Sequence, residues 1–130
     1  NKANTVCTVH GIAVAMSHFD LAFGNQVVKR DLTEVDTVEI VDRKSTGSVV
    51  FENTPIATKD WVGTAKAKTL GNLSLVHGVA AGNIITFNAA GTAELGKPTY
   101  TNQDGVQMIN MPMRYVPTSA GNDEWSIVCT

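Results

Sequence analysis

Charge is the first thing this sequence lacks. Only 17% of its 130 residues are Asp, Glu, Lys or Arg, below the quarter or so typical of globular domains. Hydrophobic residues still make up 43%, so disorder is excluded and much of the exterior must be neutral polar or apolar. Such an exterior favours burial against partner chains, because charge is depleted in interface centres; a skin of small polar side chains is the alternative. Ten basic residues stand against twelve acidic ones, giving a net charge of −2. Nothing in that balance calls for nucleic acid or an anionic membrane as a direct ligand. No apolar run approaches the ~18 residues of a membrane span, and no signal-like segment is present. Aromatics are 6%, too few to interleave with basic residues as a stacking platform for single strands. The chain opens Asn1-Lys2-Ala3-Asn4 without Met, which fits a processed form or a fragment of a longer polypeptide.

The two cysteines, Cys7 and Cys129, lie near opposite ends. They form no CxxC spacing and so no metal site. Two small buried side chains are the plainer expectation; a disulfide between neighbouring terminal strands is the alternative. His10, His18 and His77 are scattered, without HxH or HExxH spacing. Ser17 and His18 adjoin, but neighbours in a strand point to opposite faces and make no dyad. The 11 glycines never form GxGxxG or a P-loop. Asn122-Asp123-Glu124 lacks the twelve-residue calcium pattern, and Asp20, Glu39 and Glu52 read as surface charge. No catalytic, cofactor-binding or metal residue is therefore assigned, and an enzyme is not expected. Trp61, Trp125 and the Met108, Met111 and Met113 group are expected to pack in the core; the competing uses are sugar stacking on Trp61, Trp125 or Tyr100 and an adaptable binding surface for the methionines.

What is present is alternation with period two, the mark of strands with one buried face. It runs through Phe19, Leu21 and Phe23; Val38 and Ile40; Val49 and Phe51; Leu73 and Leu75; Ile85 and Phe87; Ile109, Met111, Met113 and Tyr115; and Trp125, Ile127 and Cys129. A longer first strand is expected over about Val6 to Val14. Gly24-Asn25, Gly82-Asn83, Asp104-Gly105 and Gly121-Asn122-Asp123 supply turns. Pro112 has no amide proton, so its strand must be at an edge, bulged, or open on that side. The stretch from Thr54-Pro55 to Lys68 reads as the single helix, about residues 55–69, capped by Thr54 or Thr58 and helped by Asp60, with Trp61, Ala65 and Leu70 toward the sheet. The segment from Gly24 to Asp36 has no clean pattern. Asp42-Arg43-Lys44 reads as part of an extended hairpin loop between two strands. The expected fold is mainly β: an antiparallel β-sandwich or barrel with one flanking helix, a single domain over residues 1–130.

The order of these pieces carries a resemblance. Asp20-Leu21-Ala22-Phe23-Gly24-Asn25 precedes Val38-Glu39-Ile40-Val41-Asp42-Arg43-Lys44-Ser45-Thr46-Gly47-Ser48-Val49. Lys59-Asp60-Trp61 then opens a helix, followed by Leu73-Ser74-Leu75-Val76-His77-Gly78-Val79-Ala80-Ala81-Gly82-Asn83. Tyr100-Thr101-Asn102-Gln103-Asp104-Gly105-Val106 and Gly121-Asn122-Asp123-Glu124-Trp125 close the chain. From about Phe19 onward this resembles the C-terminal part of tail and tail-tube proteins of long-tailed bacteriophages. The resemblance implies a virion structural protein of the tail, made in a bacterial host's cytoplasm, whose copies close into rings that stack into a channel for DNA. Its partners would be copies of itself and other virion proteins, with loose, sequence-independent contact to DNA and none to membrane. It also implies a long loop that reaches a neighbouring ring, and the candidate is Asp42, Arg43, Lys44, Ser45, Thr46 and Gly47. Capsid decoration or baseplate proteins with related sandwiches are the nearest alternative; a carbohydrate-binding module is the alternative from another class.

Overall fold

The computed structural model describes residues 3–130. Eleven strands and one short helix appear among them: β1 (Thr5–Val9), β2 (Ile12–Val14), β3 (Met16–Ala22), β4 (Asn25–Leu32), β5 (Val35–Arg43), β6 (Thr46–Glu52), α1 (Trp61–Lys66), β7 (Leu70–His77), β8 (Ile85–Leu95), β9 (Thr99–Gln103), β10 (Val106–Tyr115) and β11 (Ser126–Cys129). All described strand pairings are antiparallel. The expected mainly β, sandwich-like architecture with one helix is what the chain adopts.

Nine strands form one sheet in the order β2-β1-β7-β8-β10-β6-β3, with β11 added beside β8 and β9 beside β10. The first and last members of that order are consecutive in the chain, separated only by Ala15. The Ala15 carbonyl accepts from the Glu52 amide at 3.0 Å, so the end of β6 reaches the same junction. The sheet thus curls until its two ends share one stretch of backbone. Inside the curl lie Val9, Val49, Phe51, Leu73, Phe87, Leu95, Ile109, Met111 and Tyr115, all buried. The alternation of Ile109, Met111, Met113 and Tyr115 along β10 holds as expected, because β10 runs through the middle of the sheet with one face on this core.

The long first strand is broken. His10 and Gly11, both at positive φ, make a two-residue turn that folds β2 back on β1, pairing Val9 with Ile12 and Cys7 with Val14. Positive φ at both central positions is the geometry whose twist suits a tight hairpin, and Gly11 was the available signal. The His10 ring then lies over Gly71, where a Cβ would sit 2.5 Å from it, and its Nε2–H donates to the Ala93 carbonyl at 3.0 Å. Pro112 lies in a central strand, paired with Ser48 of β6. In an antiparallel ladder a residue's N and O point to the same side. The Pro112 carbonyl accepts from Gly96 at 2.8 Å, so its protonless nitrogen faces the gap where β8 ends and β9 has yet to begin. The strand is open on that side, one of the expected solutions.

Other expectations need correction. Helix α1 spans Trp61–Lys66, not 55–69; a separate turn, with Thr58 N donating to the Pro55 carbonyl at 2.8 Å, precedes it. The cap is Asp60, whose side chain accepts from the Gly63 amide at 2.8 Å, rather than Thr54 or Thr58. Thr54 instead accepts from the indole Nε1–H of Trp61, which is buried edge-on against Phe51. Leu70, Ile85, Ile127 and Cys129 lie exposed at strand ends or on β11, because little covers that part of the sheet. Cys7 and Cys129 are both free; β7 and β8 lie between their strands. Burial pushes the Cys7 thiol up to about 11.

Burial of the His10 ring lowers its pKa from the ordinary 6.5, with Lys59 adding to the effect and the Ala93 hydrogen bond opposing it. The unfolded chain therefore takes up this proton more readily than the folded one. The resulting stability is complete above about pH 6.5 and is lost as pH falls below it. Denaturant midpoints measured from pH 7 to pH 5 should decline less steeply in His10→Gln than in the parent chain; parallel curves would remove His10 from the account.

Candidate functional site

Strands β4 and β5 stand apart. Among the described residues they pair only with each other, as a separate two-stranded sheet running from Asn25↔Arg43 to Leu32↔Val35. Eight residues at ~3.3 Å each carry the tip roughly 25 Å from its root. This arm occupies the segment that showed no clean pattern, Gly24 to Asp36, together with the Val38–Ile40 alternation. That alternation marks no core face: Val38 is 67% exposed and Ile40 61%. Val27, Leu32, Val35 and Val41 are exposed as well.

The register sorts the arm's side chains onto two faces. Val27, Ile40, Lys29, Val38, Asp31 and Asp36 share one; Val28, Glu39, Arg30, Thr37, Leu32 and Val35 share the other. The pairing slips between Gln26 and Val27, leaving Val41 as the extra residue of a bulge near the root, a device that increases local twist. At the tip Asp31 and Asp36 oppose each other directly, which is unfavourable for like charges. Lys29 lies between them, its Nζ 3.7 Å and 3.5 Å from the two carboxylates. Glu34 occupies the turn at φ 72. On the other face Arg30 meets Glu39 at 3.4 Å. An isolated two-stranded ribbon is marginal in water, and this one carries apolar side chains on both faces with no cover.

The root, by contrast, is tightly held. Arg43 places Nε 3.0 Å and Nη2 2.5 Å from the two carboxylate oxygens of Glu124, and Nη2 also donates to Asn122 Oδ1 at 3.2 Å. The Glu124 side chain is only 6% exposed. The Arg43 hydrogen bonds hold its carboxyl below the ordinary range against the opposing effect of burial. The loop that presents Asn122 and Glu124 is itself closed by Asp123, which accepts from the Thr118 amide at 2.8 Å and from the Thr118 hydroxyl. Phe23 stacks on Trp125 with ring centroids 4.8 Å apart. The Lys44 amide donates to the Gly24 carbonyl, and the Ser45 hydroxyl to that of Phe23, both at 3.2 Å. Gly24 is at φ +62, and a Cβ there would lie 2.2 Å from the Lys44 carbonyl oxygen. No other residue fits that crossing without backbone movement.

The candidate loop from Asp42 to Gly47 is accordingly not an extended hairpin loop. Asp42 and Arg43 end β5, Thr46 and Gly47 begin β6, and Lys44-Ser45 connects two strands that pair with different partners. Ser45 is buried. These six residues form the hinge-side root of the arm, and the projecting element is Asn25–Leu32 with Val35–Arg43. Sequence reasoning missed it because valines alternating on an exposed ribbon look like valines alternating over a core.

Elsewhere the chemistry is sparse. Thr5 Oγ1 and His77 Nδ1 lie 2.7 Å apart at the surface, and His18 lies 4.0 Å from Asp20. Among the described residues no three His, Cys, Asp or Glu side chains converge on a metal-sized site, and no helix is long and apolar enough to cross a membrane. Trp125 is half-buried between Phe23 and Phe87 rather than presented as a flat platform. No protein-family model matches the chain, and no curated protein aligns with it significantly.

Arg43→Ala would leave the Glu124 carboxylate buried without its partner. Loss of one member of such a pair should cost about 2–3 kcal/mol, near the low end for buried pairs because Arg43 is partly exposed, and lower Tm by roughly 10 °C in a domain of this size. Calorimetry checks this; an unchanged Tm would mean that the pair does not secure the root.

Proposed function

We propose that this chain is a self-assembling structural subunit of a virion tail, whose β4–β5 arm reaches onto another copy. The supporting observation is the arm itself, a rigidly rooted ribbon of about 25 Å that leaves Val27, Val38, Ile40 and Leu32 bare. Uncovered apolar surface on both faces of a ribbon is a standing source of free energy for association, at about 25 cal/mol per Å² removed from water. A monomer has nothing to cover it. The sparse charge and the resemblance of the strand and turn order to tail-tube proteins agree with this reading.

An arm that docks away from its own body makes a head-to-tail contact, which generates rings when the rotation closes and filaments when it does not. Stacked rings would enclose a channel through which DNA passes. With a net charge of −2 the subunit has no excess of basic groups to grip phosphates, and each such grip would add affinity that slows passage. Contact with DNA would be loose and independent of sequence.

Replacing residues 26–42 by a short Gly-containing turn removes the arm while leaving the main sheet intact. The parent chain should form rings or tubes in negative stain at high concentration, and the armless chain should remain a folded monomer by sedimentation with an unchanged core Tm. Assembly that persists without the arm would sink the reading, as would a parent chain that stays monomeric throughout. Trimers seated on a head lattice would select capsid decoration instead.

A further inference from the structure

A groove of about 540 Å³ lies between α1 and the β8–β9 bend. Its floor is apolar, made by Val62, Ala65, Leu95, Pro98 and Tyr100, with Tyr100 48% exposed. Lys66, Lys68 and Lys97 stand around it, and among the described residues no ion pair engages any of the three. The one acid at its edge, Glu94, is held by Arg114 at 2.8 Å. The groove is thus an apolar trough with three unanswered positive charges.

The arm's tip is its complement. From Asp31 to Asp36 the chain carries three carboxylates and no basic residue, and among the described residues Lys29 is the only cation within ion-pair distance of any of them. Leu32 and Val35 are cross-strand partners on the face opposite Asp31 and Asp36, and both are exposed. We infer that the α1 groove receives the tip of another copy's arm, with Leu32 and Val35 on the Val62–Tyr100 floor and Glu34, at the extremity, toward Lys66, Lys68 and Lys97; Asp31 and Asp36, bridged by Lys29 on the outward face, add to the negative field over the same lysines. This rests on the self-assembly reading above and names the surface at which it happens. Desolvated apolar contact supplies the holding energy, and the charges fix which end of the arm enters and in what orientation. It also gives a use to the strain at Glu34, whose left-handed φ turns the hairpin and keeps an acid at its extremity.

The test is a charge swap in the full chain, read by sedimentation velocity across a concentration series. Lys66→Glu/Lys68→Glu/Lys97→Glu should raise the concentration for half-assembly about tenfold or more, and Asp31→Lys/Glu34→Lys/Asp36→Lys should do the same. Mixing the two variants should restore assembly, since an alternating arrangement joins parent tip to parent groove at one contact and reversed tip to reversed groove at the next. All these side chains except Lys66 lie outside the helix, and circular dichroism of each variant checks that the sheet is retained. Should the groove variant assemble like the parent chain, or the mixture fail to recover, the groove is not the receptor although arm-driven assembly would stand. A parent chain that never assembles overturns both.

Discussion

A buried carboxylate must be answered in place, and in this protein the answer comes from a strand that otherwise belongs to another sheet. Glu124 lies in the loop before β11; Arg43 is the last residue of β5. Their two-point contact ties the root of the arm to the far end of the chain, and the geometry of a guanidinium fork against a carboxylate fixes direction as well as distance. Around it the Phe23–Trp125 stack and the Gly24 crossing remove the remaining freedom. Any contact that the arm made outward would depend on this anchoring, because a ribbon free to pivot would lose most of the contact energy to the entropy of being positioned.

The same design divides the molecule into a satisfied part and an unsatisfied one. Inside the curled sheet Phe51, Leu73, Ile109 and Met111 are sealed from water, and the sheet's ends meet at Ala15. Outside, the arm and the α1 groove show the opposite balance, with apolar side chains uncovered and charges either self-opposed at Asp31 and Asp36 or unengaged at Lys66, Lys68 and Lys97. Such imbalances are expected where a surface is meant to be completed by something else.

Much of the sheet was legible in the sequence. The alternation over Val49–Phe51 and Ile109–Tyr115 located core strands, and Asp104-Gly105 marked a real hairpin turn. Pro112 demands an edge, a bulge or an open flank, and of these three the chain takes the open flank. The failures share one cause: a strand pattern states which residues lie on one face, not what that face meets. Val38 and Ile40 looked like core and are solvent-facing; Ile127 and Cys129 kept phase with a core that does not extend to β11. The arm root was legible only as a charged cluster, since nothing local in Arg43 announces a partner 81 residues away. Helix α1 was overextended because Pro55 and the threonines are as suited to a preceding turn as to a first helical turn, and Asp60 wins as cap by reaching Gly63.

The placement of Ala15 has a consequence for how the chain acquires its shape. The arm joins residues close in sequence, whereas the main sheet is completed by pairings as distant as Thr5 with His77. Local hairpins form in microseconds, while long-range strand pairing must first overcome the entropy of closing large loops. The ribbon's own pairing is therefore the first that the chain samples, and it stays marginal until the body forms and holds its root. Until the distant ends find each other, the exposed valines of the ribbon have no body to hold them in one direction, so the slow step in closing the sheet is also the step that aims the arm.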